Sequence, residues 1–159
     1  MTTIIDGSAG VTFPAGGNPQ AAPSKVLQVI QGTLSSAFST SSSSYVTTGL
    51  TASITPIFST SKILIMYNGS ITSNPASQFS AYTTIYRNST NLEITSGRGF
   101  NECTFLTGGY NGTCTTGSFL DSPATTSSTT YTIYLKGTQT TTFPTDGATA
   151  TITIMEIAQ

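Results

Sequence analysis

Histidine is absent from the 159 residues, and charge is scarce: five Lys or Arg and six Asp or Glu make up 7% of the chain, where about 25% is usual. Without imidazole, Ser-His-Asp and Cys-His activation of a nucleophile is excluded, together with nearly all zinc geometries. A net charge of -1 supplies no basic stripe to neutralise phosphates, so nucleic acid and anionic membrane are not expected partners. No apolar run approaches the ~18 residues of a membrane span. The opening MTTIIDGSAG has neither the cationic start nor the apolar stretch of a signal peptide, so the chain reads as a soluble product of a cytosol, with no membrane insertion.

Helical signals are missing as well. No window of helical length combines an i, i+3, i+4 apolar stripe with caps, which predicts little or no helix. No repeat of fixed period is present, which argues against a propeller or β-helix.

What the chain does have is Ser and Thr in place of charge, 36% hydrophobic residues, and 15 Gly and 7 Pro as punctuation. Thr is β-branched and suits a pleated, half-buried surface, so this composition favours many short strands over disorder. The length is that of one domain, which buries roughly 68–70% of its unfolded surface without staples.

The clearest strand signal is Tyr45 to Ile65, YVTTGLTASITPIFSTSKILI. Val46, Leu50, Ala52 and Ile54 alternate with Thr47, Gly49, Thr51, Ser53 and Thr55, a period of two with one face buried and one solvated. Pro56 ends the pairing, and Lys62 opens a second strand whose Ile63, Leu64, Ile65 and Met66 are apolar on both faces, as in a fully buried strand. Further strands are expected at Lys25–Gln31, Phe79–Arg87, Leu92–Ser96, Thr113–Leu120, Tyr131–Lys136 and Ala150–Ile157, with Arg87–Asn91 as a hairpin connection. The expected fold is all-β, an antiparallel β-sandwich or jelly roll of about eight strands.

Residues 1–24 differ: Asp6-Gly7, Gly16-Gly17-Asn18-Pro19 and Ala22-Pro23 interrupt any period, and the segment cannot close a core of its own. It reads as an extended N-terminal arm before a sandwich domain at 25–159. Ile4, Ile5, Val11 and Phe13 are more apolar than a solvating tail requires, so a disordered tail and an arm ordered on another chain both stay open.

Chemistry is thin. Asp6 and Asp146 precede Gly and Asp121 precedes Ser-Pro, all turn contexts; Glu156 lies in a terminal strand; Glu93 and Glu102 alone remain as a glycosidase-like pair. The sequence therefore reads as non-enzymatic, with no catalytic residues, metal ligands or cofactor site. The three N-x-[ST] triplets, at Asn68, Asn88 and Asn111, are of the number chance gives in so Ser/Thr-rich a chain. Phe79 to Tyr110 concentrates aromatics, and Arg98, Phe100, Asn101, Glu102 and Tyr110 on Gly-flanked loops are the material of a contact surface; Phe79 and Phe105 read as core. Cys103 and Cys114 pair across a Gly108-Gly109 hairpin turn, within reach of a disulfide, or fall out of register if Asn111-Gly112 is the turn. Two free thiols, as a reducing cytosol leaves them, are the favoured state.

Ser41 to Ile65, with LDSPATTSSTTYTIYLKG at Leu120–Gly137 and ATITIMEI closing the chain, resembles a β-sandwich module of tailed-bacteriophage virion structural proteins, of the tail-fibre and head-decoration type found in marine and cyanobacterial phages. GVTFPAGG at Gly10–Gly17 is similar to the ITFPDG-type connector preceding such modules, with Ala15 where Asp is usual. The resemblance implies a non-enzymatic protein on the virion surface, synthesised in the host bacterial cytoplasm and commonly a homotrimer. Its partners would be other virion proteins, shell or tail, and a host-surface glycan or protein. Two placements follow: head decoration or cement with the arm docked on the shell, and the distal receptor-binding module of a tail fibre or spike.

Overall fold

A computed structural model of the chain describes residues 4–6, 10–12, 25–93 and 97–159. Thirteen strands run through them: β1 (Ile4–Asp6), β2 (Gly10–Thr12), β3 (Val26–Leu34), β4 (Phe38–Thr40), β5 (Val46–Ile54), β6 (Lys62–Ser73), β7 (Phe79–Arg87), β8 (Thr90–Asn91), β9 (Asn101–Phe105), β10 (Asn111–Asp121), β11 (Thr129–Gly137), β12 (Thr141–Phe143) and β13 (Ala150–Ile157). β1 and β2 pair with each other, Ile5 opposite Val11.

The remaining strands form two antiparallel sheets. In the first, β6 has β10 along one side and β13, then β3, on the other; β12 and β4 continue that side past the end of β13. In the second, the order is β5, β11, β7, with β9 and the short β8 sharing the free side of β7. Among the long strands, the chain changes sheet at every step except β7 to β9. That path is the jelly roll, all antiparallel, which is the fold class expected from the alternation.

The core is the inner face of each strand. Leu50, Ala52 and Ile54 of β5, Ile85 of β7, and Tyr131, Ile133 and Leu135 of β11 meet Ile63, Ile65 and Ile71 of β6 and Ile152 and Ile154 of β13, all buried. Phe79 and Phe105 are buried and stack at 5.4 Å between centroids, as expected of core residues. Gly49, at φ 87, stands where the β5–β11 register slips between Thr132 and Tyr134; a bulge of this hand costs glycine nothing. The Thr48 hydroxyl takes up the Ile133 carbonyl there, at 2.8 Å.

Polar groups enter this core in connected sets. Tyr67 Oη and Thr83 Oγ1 lie 2.8 Å apart, and Thr83 and Thr115 hydroxyls 3.1 Å apart, bridging the two sheets from inside. Asp121 is not a turn residue. It ends β10 buried, accepting from Arg87 Nη1 at 2.9 Å to each oxygen and from Tyr131 Oη at 2.7 Å. Burial first, and the Asp121 carboxylate second, push the Tyr131 hydroxyl far up, keeping it a donor. Glu156 is fully buried and holds the β5–β6 connection through the Ile57 amide at 2.7 Å and the Phe58 amide at 3.3 Å, while accepting from Gln28 Nε2 of β3 at 2.5 Å.

Three expectations change. The strand opened by Lys62 runs to Ser73, and its second face is not buried: Met66 on it, Leu120 beside it on β10, and Val26 and Val29 of β3 are exposed. The apolar residues on both faces of β3 and β6 therefore face the second sheet on one side only. Leu92 follows β8 outside any strand, packed against the core, while Ile94–Ser96 lie outside the described residues. Finally β4, β9 and β12, absent from the sequence reading, complete the sheets.

Candidate functional site

Because β11 and β7 pair with Lys136 opposite Tyr82, and β7 and β9 with Tyr82 opposite Glu102, a cation, an aromatic ring and a carboxylate form one row. The row crosses the outer face of the second sheet. Lys136 Nζ lies 4.4 Å from the Tyr45 ring centroid and 5.2 Å from that of Tyr82, within cation–π range of both. It also donates to the Gly97 carbonyl. Tyr82 Oη donates to Glu102 Oε1 at 3.2 Å, and Arg98 Nη1 reaches Glu102 Oε2 at 3.1 Å.

Further along the same face, Tyr86 stacks diagonally on Tyr134 at 3.8 Å between centroids and meets Tyr45 edge-on at 6.5 Å. Of these four neighbouring tyrosines, Tyr45 and Tyr82 face the one ammonium. Beside them Ser43, Ser80, Tyr82, Lys136, Gly137 and Thr138 line an open depression of about 160 Å³. Towards β5 the face continues as hydroxyl pairs, Thr51 with Thr132 at 3.1 Å and Ser53 with Thr130 at 2.7 Å.

The Gly-flanked loop is fixed from below. Glu93 accepts from the Gly97 amide at 2.7 Å and the Gly99 amide at 3.2 Å. Burial alone would raise its carboxyl, but these donors, with Asn91 and Tyr45, outweigh it and hold the group below the ordinary carboxylate range. The Tyr45 hydroxyl is driven the other way, by burial first and by Glu93 second. Gly99 has φ 66, and a Cβ there would run into the Thr83 carbonyl and the Tyr45 hydroxyl, so only glycine lets the loop lie this close.

The structure separates the sequence-predicted contact residues. Arg98 and Glu102 belong to the row just described. Phe100 packs against Phe119 at 5.1 Å and joins the edge of the core, and Asn101 begins β9 with Nδ2 donating to the Thr116 carbonyl at 3.1 Å. Tyr110 lies beyond the other end of β9, 69% exposed, its hydroxyl on Thr72 at 3.1 Å. Glu93 and Glu102, the carboxylates offered for glycoside chemistry, are engaged by loop amides and by Arg98 respectively.

Cys103 and Cys114 are both free, the favoured of the two states, and the alternative disulfide does not form. β9 and β10 are in different sheets, so no hairpin joins them: Cys103 faces the core and Cys114, opposite Ser70, is exposed. Of the arm residues, Ile4 and Ile5 lie in β1 and Val11 in β2, and Phe13 lies outside the described residues.

Sequence reasoning missed Tyr45, Tyr134 and Lys136. The alternation through Tyr131–Lys136 already places Tyr134 and Lys136 outside; their meeting with Tyr82 and Tyr86 needs the strand register, which no local signal carries. Among the described residues no three Cys, Asp or Glu side chains gather as metal ligands. No model of a known protein family matches the chain and no curated protein matches it, so its function has to be argued from its own surface chemistry.

Proposed function

We propose that the chain is a non-enzymatic structural protein on the surface of a bacteriophage particle, of head decoration or cement type, with its N-terminal arm docked on the shell. The observation that carries this reading is how the polar groups are used. Glu93, Asp121 and Glu156 are spent on tying down loops and strand ends, and the β5 side of the second sheet's outer face is lined by hydroxyl pairs without charge. Such a surface offers little for salt to screen and suits a displayed module. The resemblance of Ser41–Ile65 and of the closing strand to virion sandwich modules points the same way. Deleting residues 1–24 is expected to leave a folded sandwich that no longer binds particles lacking this protein. Undiminished binding of the truncated chain defeats the arm-docking reading.

A second reading is favoured by the Tyr45–Lys136–Tyr82 arrangement: the distal receptor-binding module of a tail fibre or spike. Half-buried tyrosine rings can stack on the apolar faces of sugars or pack against protein side chains, and the surrounding hydroxyls supply hydrogen bonds. Purified protein would then bind host cells, and Tyr82→Ala would weaken binding about tenfold or more. Tyr82 is the residue to change, since Phe100→Ala would also remove packing on Phe119. Cells indifferent to the protein remove this reading and leave the first intact.

A further inference from the structure

We infer that the outer face of the first sheet is an interface with a second copy of this chain. The register places Val29 opposite Met155, Met155 opposite Leu64, and Leu64 opposite Leu120. An unbroken apolar row therefore crosses all four strands on the side facing away from the core. Val29 is 56% and Leu120 45% exposed.

The adjoining rows extend it. Towards the strand ends Val26 pairs with Ile157, and in the other direction Met66 stands between Thr153 and Ser118. An exposed cluster of this kind normally marks a surface that another molecule covers.

Size and charge identify the occupant. Four strands at ~4.8 Å spacing, over the nine or so residues of β6 from Lys62 to Ser70, present roughly 600 Å². Over both partners that is about 1,200 Å², the lower bound of a specific, stable interface. Lys62 is the sole charged residue that the β6 register puts on this face. A surface without a charge pattern cannot discriminate an oppositely charged partner, but it is complementary to itself: apolar row against apolar row, with no like charges brought together at the centre. The second sheet offers the contrast, because its outer face carries Lys136, Glu102 and Arg98.

The test is sedimentation velocity on the full chain and on Leu64→Lys with Leu120→Lys. Wild type should sediment as an oligomer in reversible equilibrium. The double variant should dissociate at least about tenfold more readily, with an unchanged far-ultraviolet spectrum. Thr51→Lys with Thr132→Lys, on the outer face of the other sheet, should sediment like wild type. Should the double variant fail to fold, Val29→Thr keeps the shape of an exposed side chain and should weaken association in the same direction. A monomeric wild-type chain overturns the proposal, whether the face is then covered by the chain's own arm or by an unrelated protein. So does an oligomer that survives both sets of changes. Neither result bears on where the protein sits in a particle.

Discussion

Asp121 shows what a single buried carboxylate does in a chain with so little charge. It satisfies Arg87 and Tyr131 at once, joining the ends of β7, β10 and β11. Removing one member of such a pair leaves the other uncompensated. Asp121→Asn should cost about 3 kcal/mol, near the low end for a broken buried pair because the Arg87 side chain retains 28% exposure. Tyr131→Phe, which removes one donor and leaves the ion pair, should cost about 1 kcal/mol. Urea midpoints for the two variants decide the order. The sequence shows Asp-Ser-Pro, whose local chemistry is that of a turn; the partners that bury it are 34 residues before and 10 after, and neither separation leaves a local mark.

At the scale of elements, Glu156 converts the β5–β6 connection from a surface loop into part of the frame. Burial alone would raise its carboxyl, yet Gln28, the adjacent Ser61 hydroxyl and the Ile57 and Phe58 amides outweigh it and hold the group below the usual range. A carboxyl depressed in the folded state stabilises fully above its unfolded value of about 4.3 and loses that contribution as pH falls through the folded value. Melting temperature should therefore decline with acidification below about pH 4. Glu156→Gln should start several degrees lower at neutral pH and decline less steeply; identical pH profiles would show that Glu156 does not carry the effect.

Strand prediction succeeded and failed for separable reasons. β7 and β13 are legible to the residue: Phe79–Arg87 alternates, and Ala150 to Ile154 alternates before Met155-Glu156-Ile157 reverses the pattern. β4 and β12 have three residues each, too few to display a period. β9 does alternate, with Cys103 and Phe105 inward, but the glycines before it read as loop. The double-faced apolar run of β6 suggests burial on both sides, whereas only the register reveals that its second face lines up with those of β3, β13 and β10 into one exposed surface.

For the whole molecule, the two outer faces are unlike. One carries an apolar row from Val29 to Leu120, and the other a ring-and-charge row from Lys136 to Glu102. Composition gave the low charge but not this division of it, since the residues of each row come from separate parts of the chain. The division lets assembly and outward contact be altered independently: lysines at Leu64 and Leu120 and alanine at Tyr82 act on opposite sides of the core.

The strand register also decides where a reporter can be attached. Val26 pairs with Ile157, and the Ala158 amide donates to the Lys25 carbonyl at 2.9 Å, so tags added near Lys25 or after Gln159 emerge together beside the apolar row. A fluorophore or gold label placed there would compete with the contact it is meant to report. Gly108 and Gly109, beyond the opposite end of β6, have open space around them. An insertion at that turn leaves both outer faces free, and it is the position from which particles could be imaged without disturbing how the protein is held.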